Sequence, residues 1–258
     1  MLVIGAYKAG TTSLHSYLGQ HPQIHMSAVK ETRYLTSRGQ QAVPLDPLAL
    51  RAFPWPVKTL PDYEAQFEGA VASAQLCGET SPCYLAFPRQ SIRGIKEVVP
   101  EAKLIVVLRE PVARAYSSFL GLVRNGREEC FDFHRTLEYE RDGVTRRRDG
   151  SPRLNMAESF YFESLSAYFE HFPTEQILVC LYEDWDAAEP KLLTRVLRFL
   201  GVDDRFQPAM DKRLNRVGWP RSRRFHRLLH SPRLPLDGRA RRVLGRLNNT
   251  TCPPMRPE

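Results

Sequence analysis

The stretch Leu2-Val3-Ile4-Gly5-Ala6-Tyr7-Lys8-Ala9-Gly10-Thr11-Thr12-Ser13, which opens the chain, decides the expected fold. Its first three residues are apolar and predict a short buried strand. Residues 5–10 begin and end with glycine and predict a loop. From Thr11 onward, Leu14 and Leu18 recur at helical spacing, so the expected order is strand, loop and helix.

The loop predicted over residues 5–10 has the chemistry of an anion-binding site. Glycine lets the backbone turn tightly and bring N–H groups close to a ligand. The helix that follows adds free N–H groups and a partial positive charge, and Thr11, Thr12 and Ser13 add hydroxyl donors. We therefore expect this loop to hold a phosphate or a phosphosulfate group.

The position of its lysine separates this loop from a related one. Nucleoside triphosphatases carry G-x-x-x-x-G-K-[ST], in which lysine follows the second glycine. Here Thr11 follows Gly10, and the lysine of the loop is Lys8. This difference disfavours ATP as the ligand and favours a related loop with a different chemistry.

The rest of the chain alternates between predicted strands and helices. Residues 103–108 form a continuous apolar run, which is typical of a parallel strand covered on both faces. Residues 74–79 and 176–181 predict two more strands. The pattern predicts the α/β class, with a single domain over residues 1–258 and a P-loop-like three-layer fold in which helices flank a central, mainly parallel sheet.

Such a fold indicates where a ligand would bind. Ligands of open α/β sheets bind outside the carboxyl ends of the strands. The loops that follow Ile4, Glu79 and Leu108 are therefore expected to share one crevice.

Composition favours one globular domain with an anionic partner. The chain has 258 residues, of which 42% are hydrophobic and 26% charged, which allows one sizeable core and excludes wholesale disorder. The net charge of +8 favours nucleotides, nucleic acid, anionic lipid or acidic polysaccharide without choosing among them. Five cysteines without a C-x-x-C pair predict neither a metal site nor a dense disulfide framework. No apolar run reaches the length of a membrane span and no secretory signal is recognisable, so we expect a cytoplasmic location.

A second candidate anion site follows the strand predicted at 103–108. Arg109 lies at the carboxyl end of this strand, Pro111 can start a helix, and Ser117 lies about two helical turns into it. An arginine and a hydroxyl that converge there would bind a second phosphate, with bidentate bonds from the arginine. Taken alone, each residue is more simply an exposed arginine or a serine on a helix surface.

Together, these motifs resemble the sulfotransferases that use 3′-phosphoadenosine 5′-phosphosulfate (PAPS). Residues 8–14 match Lys-x-Gly-Thr-Thr-Ser-Leu, and residues 108–117 match Leu-Arg-[Asp/Glu]-Pro-x-x-Arg-x-Tyr-Ser. The likeness is closer to the carbohydrate branch, which includes the heparan sulfate sulfotransferases, and to its bacterial relatives. Three further stretches agree: Lys30-Glu31-Thr32-Arg33-Tyr34-Leu35, Gly78-Glu79-Thr80-Ser81-Pro82-Cys83-Tyr84 and Asn215-Arg216-Val217-Gly218-Trp219-Pro220-Arg221-Ser222-Arg223.

The resemblance implies roles for individual residues. Lys8 would stabilise charge on the leaving phosphate and on the transferring sulfuryl group, and Glu31 would be the general base. Arg109 and Ser117 would bind the 3′-phosphate. The other nucleotide-binding residues would be Ala9, Gly10, Thr11, Thr12 and Ser13 around the 5′-phosphosulfate, and Gly218, Trp219, Arg221 and Arg223 in a late loop that closes over the nucleotide.

The reaction that the resemblance implies is in-line transfer of a sulfuryl group from PAPS to a hydroxyl or amine, which releases 3′-phosphoadenosine 5′-phosphate (PAP). The acceptor must lose a proton during the attack, and a carboxylate serves best as base when its pKa is raised. No metal is required, because Lys8 and the loop amides would stabilise the leaving group. The acceptor is expected to be a carbohydrate or a small-molecule hydroxyl. Thr80 departs from the pattern, since several animal members carry a second lysine there.

Two alternatives remain open from the sequence. A nucleotide kinase or nucleoside triphosphatase would need Mg²⁺ held by a loop hydroxyl and an acidic residue, and the missing lysine after Gly10 argues against it. A non-enzymatic anion-binding module is suggested by residues 212–246, which hold twelve basic residues and one acid. The simpler interpretation of this stretch is a solvated surface with some nucleotide-loop residues, so no nucleic acid partner is expected.

Overall fold

Five parallel strands form the main sheet. A computed structural model of the chain describes residues 1–39, 56–70, 74–144, 147, 153–185, 191–209, 218–230, 234 and 238–251. The strands are β1 (Leu2–Gly5), β2 (Ile24–Met26), β3 (Leu76–Thr80), β4 (Leu104–Leu108) and β5 (Ile177–Leu181), and they lie in the order β2-β3-β1-β4-β5. A separate antiparallel pair consists of β6 (Gly218–Pro220) and β7 (Asn249–Thr251).

Helices connect the strands. The α-helices that the described residues form are α1 (Thr11–Leu18), α2 (Tyr34–Gly39), α3 (Leu60–Glu64), α4 (Cys83–Ala86), α5 (Pro88–Val98), α6 (Pro111–Arg124), α7 (Phe133–Arg141), α8 (Tyr161–His171), α9 (Lys191–Leu200), α10 (Arg223–Leu229) and α11 (Gly238–Leu247). Short 3₁₀ turns lie at Ala65–Phe67, Ala157–Ser159, Thr174–Gln176 and Tyr182–Asp184.

Strand β1 lies between β3 and β4 and is buried along its whole length. Leu2 pairs with Glu79 on one side and with Leu104 on the other. Burying one aliphatic side chain of this size contributes about 1.5–3 kcal/mol. The continuous apolar runs of β1 and β4 therefore form the middle of the core, as expected for strands of a parallel sheet that is covered on both faces.

The strand order reverses its direction at β1, so the carboxyl end of β1 is a topological switch point. From β1 the chain passes to β2, which lies beyond β3, and from β3 it crosses to β4 on the other side of β1. Because β3, β1 and β4 are parallel, their carboxyl ends lie at one edge of the sheet, where such sheets bind ligands. The predicted α/β class with a mainly parallel sheet is confirmed, and the loops after β1, β3 and β4 leave the same edge.

The chain is divided into two compact units. Unit 1 comprises Met1–Pro111 and Phe160–Leu214 and contains the five-stranded sheet. Unit 2 comprises Val112–Ser159 and Asn215–Glu258. Inside unit 2, the fully buried Arg114 donates hydrogen bonds to Ser159 and Glu158, and an aromatic cluster includes Phe119 and Trp219. One domain over residues 1–258 stays a prediction.

The predicted strands and helices in unit 1 are found with their ends shifted by one or two residues. Strand β2 was not predicted, because three residues interrupted by His25 carry no periodic signal. Arg147 is buried against Glu128, and residues 145–146 and 148–150 lie outside the described ranges. Over the described residues, no helix combines the length and the apolar character that crossing a bilayer requires.

The close approach of α5 to Leu35 can be tested at a glycine. A Cβ on Gly94 would lie 1.9 Å from the carbonyl oxygen of Leu35, whereas a Cβ on Gly245 of α11 would meet nothing within 4 Å. We expect Gly94→Ala to lower the free energy of unfolding by about 1–3 kcal/mol, because backbone atoms must move apart. Gly245→Ala should raise it by up to about 1 kcal/mol, because alanine favours a helix more than glycine does. Thermal unfolding of both variants measures this, and equal midpoints would contradict the close approach.

Candidate active site

The loop after β1 ends in a helix N-terminus that no side chain caps. Gly10 is the N-cap residue of α1, with φ of 82°, and no side chain accepts a hydrogen bond from the first turn. The N–H groups of Ser13 and Leu14 both point at the carbonyl oxygen of Gly10, at 3.0 and 3.1 Å. An uncapped N-terminus with its dipole is suited to an anionic group. Lys8 lies within this loop, with φ of 68°.

Residues after β4 and β5 support this loop from the neighbouring strands. The guanidinium of Arg109 donates to the carbonyl oxygen of Lys8 at 3.2 Å and stacks on the ring of Tyr182, 4.7 Å from its centroid. A Cβ on Gly10 would lie 2.9 Å from the Tyr182 ring, so this position has no room for a side chain. The hydroxyl of Tyr161 donates to the carbonyl oxygen of Arg109 at 2.9 Å. Arg109 thus lies against the loop at residues 5–10, and the two anion sites predicted at this edge stay a prediction.

Glu31 lies between two cations on its own loop. Lys30 Nζ is 3.0 Å from Oε1, and Arg33 Nη2 is 2.5 Å from Oε2. The Glu31 side chain is 25% exposed. Burial acts to raise the pKa of Glu31, but the charges of Lys30 and Arg33 and their hydrogen bonds outweigh it, so the pKa is lowered. Glu31 is therefore ionised at neutral pH, whereas the sequence argument had favoured a raised pKa for a base.

The backbone of this loop is held in a conformation that these residue types rarely adopt. Glu31 has φ of 63° and Arg33 has φ of 58°, which for residues other than glycine costs of order 1 kcal/mol or more each. The N–H of Glu31 donates to the carbonyl oxygen of Thr80 at 2.9 Å. The N–H of Arg33 donates to Ser81 Oγ at 3.1 Å. The end of β3 thus fixes the conformation that carries Glu31.

A fully buried carboxylate, that of Glu79, lies behind this loop. Four hydroxyl groups donate to it: Thr32 and Ser81 to Oε2, and Tyr63 and Tyr84 to Oε1. Burial raises the pKa of Glu79, and the four donors oppose that shift. A buried carboxylate is tolerated when its lone pairs are occupied in this way.

His15 of α1 contacts the residue that departs from the family pattern. Its Nδ1 lies 3.1 Å from Thr80 Oγ1. Burial and the charge of Lys30 lower the pKa of His15 to about 4, so the ring is neutral at physiological pH. Thr80 therefore contacts a neutral imidazole at the position where this sequence departs from the pattern of the resemblance.

The remaining predicted nucleotide residues lie in unit 2. Ser117 is half-buried on α6, so Arg109 and Ser117 belong to different units and their joint role stays a prediction. Trp219 packs against Phe119 and Phe131, at 6.0 and 5.9 Å between ring centroids, inside the aromatic cluster of that unit.

The late basic loop follows Trp219 in unit 2. The N–H of Arg221 donates to the carbonyl oxygen of Asn248, which ties the loop to the turn before β7. Arg223, at the start of α10, stacks over Phe131 at 5.3 Å. Gly218 begins β6. Both arginines are exposed, and their nucleotide contacts stay a prediction.

Comparison with known proteins assigns the family. A model described as "Sulfotransferase family" matches residues 1–208, which is most of the chain and includes all of the site in unit 1. The chain belongs to the sulfotransferase family. The resemblance drawn from the five motifs is therefore confirmed at the level of the family.

Individual relatives agree with this assignment. The chain is 25% identical to the membrane-associated sulfotransferase kil1 of Dictyostelium discoideum over 78% of its own length and 56% of that protein. It is 27% identical to carbohydrate sulfotransferase 15 of Mus musculus over 78% of this chain and 43% of that protein. Thus it spans about half the length of these curated relatives. The solved structure of a sulfotransferase from Alicyclobacillus acidocaldarius is similar, with a TM-score of 0.66, 28% identity, and coverage of 83% of this chain and 85% of that one.

Sequence reasoning missed three contributors to the site. Arg33 and Glu79 lie within motifs that the resemblance identified, but neither was given a role. The signal at Glu79 was an acidic residue in an apolar strand followed closely by Ser81 and Tyr84, which are hydroxyl donors. His15 carried no signal, because its position on α1 matters only through its contact with β3.

The charge balance at Glu31 can be measured without an activity assay. We expect Arg33→Met to raise the pKa of Glu31, because one of the two cations that favour the carboxylate is removed. Arg33→Lys keeps the charge and should retain most of the lowering. A carboxyl-carbon NMR titration of Glu31 in the three proteins measures the shift. The same Glu31 pKa in wild type and Arg33→Met would contradict this account.

Proposed function

We propose that this chain transfers a sulfuryl group from PAPS to a hydroxyl or amine of an acceptor and releases PAP. The observation that supports it best is the ionised carboxylate of Glu31, whose N–H is bonded to the end of β3, the strand next to the one that precedes the loop at residues 5–10. A base for the acceptor and a loop for the donor thus leave the same edge of one sheet. The family assignment agrees with this chemistry.

The residues around the loop fit the donor. The uncapped N-terminus of α1 offers N–H groups to the 5′-phosphosulfate, and the tight packing of Gly10 on Tyr182 keeps the backbone close to the bound anion. When bound, PAPS supplies an activated sulfuryl group on a phosphate leaving group. The loop amides and the Lys8 ammonium would stabilise the negative charge that develops on that phosphate.

Glu31 would accept the proton that the acceptor loses. Its lowered pKa keeps it in the basic form at neutral pH, so no prior deprotonation is required. The same lowering makes it a weaker proton acceptor than a carboxylate with a raised pKa. Lys30 and Arg33 therefore make Glu31 a weaker base but keep it ionised at neutral pH and hold its carboxylate in place.

A carbohydrate is the acceptor class that we favour. The support is the similarity to carbohydrate sulfotransferase 15 of Mus musculus, which covers 78% of this chain. A cytoplasmic location stays a prediction from the sequence.

The two principal residues can be tested together. We expect Lys8→Ala and Glu31→Gln each to lower kcat by about 10²-fold or more, because one removes charge stabilisation and the other the general base. Lys58→Ala and Glu101→Gln change the same residue types at exposed positions and should leave kcat unchanged. Transfer from labelled PAPS to a panel of carbohydrate acceptors is the assay. Wild-type rates in both site variants would reject these roles.

Binding measurements separate the proposal from its alternatives. Calorimetry with PAP and with ATP should show a preference for PAP. A preference for ATP would favour the triphosphatase alternative, and salt-dependent polyanion binding without PAP affinity would favour the non-enzymatic module.

The role of Arg109 in recognising the 3′-phosphate is tested by comparing two nucleotides. Arg109→Ala should weaken PAP binding and leave the weaker binding of adenosine 5′-phosphate, which lacks the 3′-phosphate, nearly unchanged. Arg205→Ala removes an arginine from an exposed pair with Asp203 and serves as the matched control. An equal loss for both nucleotides would show that Arg109 acts only through its contact with the loop at Lys8.

A further inference from the structure

We propose that Glu79 is a positioning residue for the general base, and that it acts on Glu31 through the side chain of Thr32. This inference rests on the proposed role of Glu31 and adds a residue that never touches either substrate. Glu79 is fully buried, so it has no access to donor or acceptor. Its effect must therefore pass through the groups that it binds.

Thr32 provides the connection between the two carboxylates. It lies between Glu31 and Arg33 in the chain, is fully buried, and donates from Oγ1 to Glu79 Oε2. Glu31 and Arg33 both have a positive φ, which is an unfavourable conformation for these residue types. Without the hydrogen bond from Thr32 to Glu79, the backbone on both sides of Thr32 would relax to other conformations. Fixing the side chain of Thr32 fixes the direction in which its two neighbours leave the backbone.

Ser81 binds the same carboxylate oxygen from the other side of the loop. It donates to Glu79 Oε2 at 3.0 Å and accepts the N–H of Arg33 at 3.1 Å. Arg33 in turn pairs with Glu31. The carboxylate of Glu79 is thus connected to Glu31 by two routes, through Thr32 along the chain and through Ser81 and Arg33 across it.

The number of donors matches what an ionised carboxylate accepts. Each oxygen takes two hydrogen bonds, from Thr32 and Ser81 on Oε2 and from Tyr63 and Tyr84 on Oε1. A carboxylate has about four lone-pair positions and donates nothing. An amide in its place would present an NH₂ group to two hydroxyls and turn them away from their present directions. This match is what makes the position of the Thr32 side chain depend on the carboxyl group of Glu79.

Two of the four donors form a matched pair for the experiment. Thr32→Val and Tyr63→Phe each delete one hydroxyl from the same carboxylate and keep the shape of the side chain. Only Thr32 adjoins Glu31, because Tyr63 lies on α3 and stacks on Tyr34. We expect Thr32→Val to lower kcat about 10- to 100-fold, since small misplacements of a reacting group have effects of this size. Tyr63→Phe should leave kcat near the wild-type value.

Further measurements distinguish positioning from a general loss of structure. The KM for PAPS and the Kd for PAP should be the same in Thr32→Val as in wild type, because the donor loop is not involved. Thr32→Ser retains the hydroxyl and should restore most of kcat. In a Glu31→Asp background, where the shortened base is already out of place, Thr32→Val should cause a much smaller further loss. Circular dichroism of every variant verifies that it is folded.

The outcomes distinguish the proposed role of Glu31 as general base from the proposed positioning role of Glu79. An equal loss of kcat in Thr32→Val and Tyr63→Phe, or the same loss from Thr32→Val in the wild-type and Glu31→Asp backgrounds, overturns the positioning role and leaves the base intact. A wild-type kcat in Glu31→Gln overturns the base itself, and the positioning role with it. A loss confined to Thr32→Val, rescued by serine and dependent on Glu31, supports the inference.

Discussion

The pairing of β1 between β3 and β4 is the constraint on which the rest of the structure depends. Val3 pairs with Thr80, and the carbonyl oxygen of Thr80 accepts the N–H of Glu31, so the register of one strand pair sets where Glu31 lies relative to the sheet. A slip of one residue would turn every side chain of β1 to the opposite face, which a strand buried on both sides with unequal neighbours does not tolerate. The core and the site are therefore specified by the same contacts.

The electrostatics at this edge of the sheet are dominated by short-range pairs rather than by the net charge of the chain. Glu79 lies in β3 and Glu31 lies on the loop after β2 that is hydrogen-bonded to the end of β3, yet the pKa values of the two carboxylates shift in opposite directions. Burial decides for Glu79, which has only neutral donors, while two cations outweigh burial for Glu31. Two identical groups thus differ in their surroundings, since Glu31 is in contact with water and Glu79 is excluded from it.

The loop after β1 could be predicted from local signals, whereas most of the other contacts at the candidate site join residues far apart in the chain. Glycine at positions 5 and 10, with an apolar run before and helical spacing after, predicts the loop from adjacent residues alone. The hydrogen bond between Thr32 and Glu79 joins residues 47 positions apart, and no pattern in the sequence predicts it. The pKa of Glu31 was equally hidden, because its direction depends on whether Lys30 and Arg33 turn toward it. Three-residue strands such as β2 escape any periodicity, since too few positions repeat.

The neutral imidazole of His15 links the stability of the fold to acidity. In the unfolded chain this ring binds a proton near its ordinary pKa of 6.5, whereas in the folded protein it does so only at about 4. Between these two values the unfolded state holds more protons than the folded state, so the free energy of unfolding falls as the pH falls through this window. His15 lies on the helix that begins at the anion-binding loop and touches the strand end that holds Glu31. Mild acid therefore destabilises the fold through a ring that contacts the end of β3, where the N–H of Glu31 is bonded.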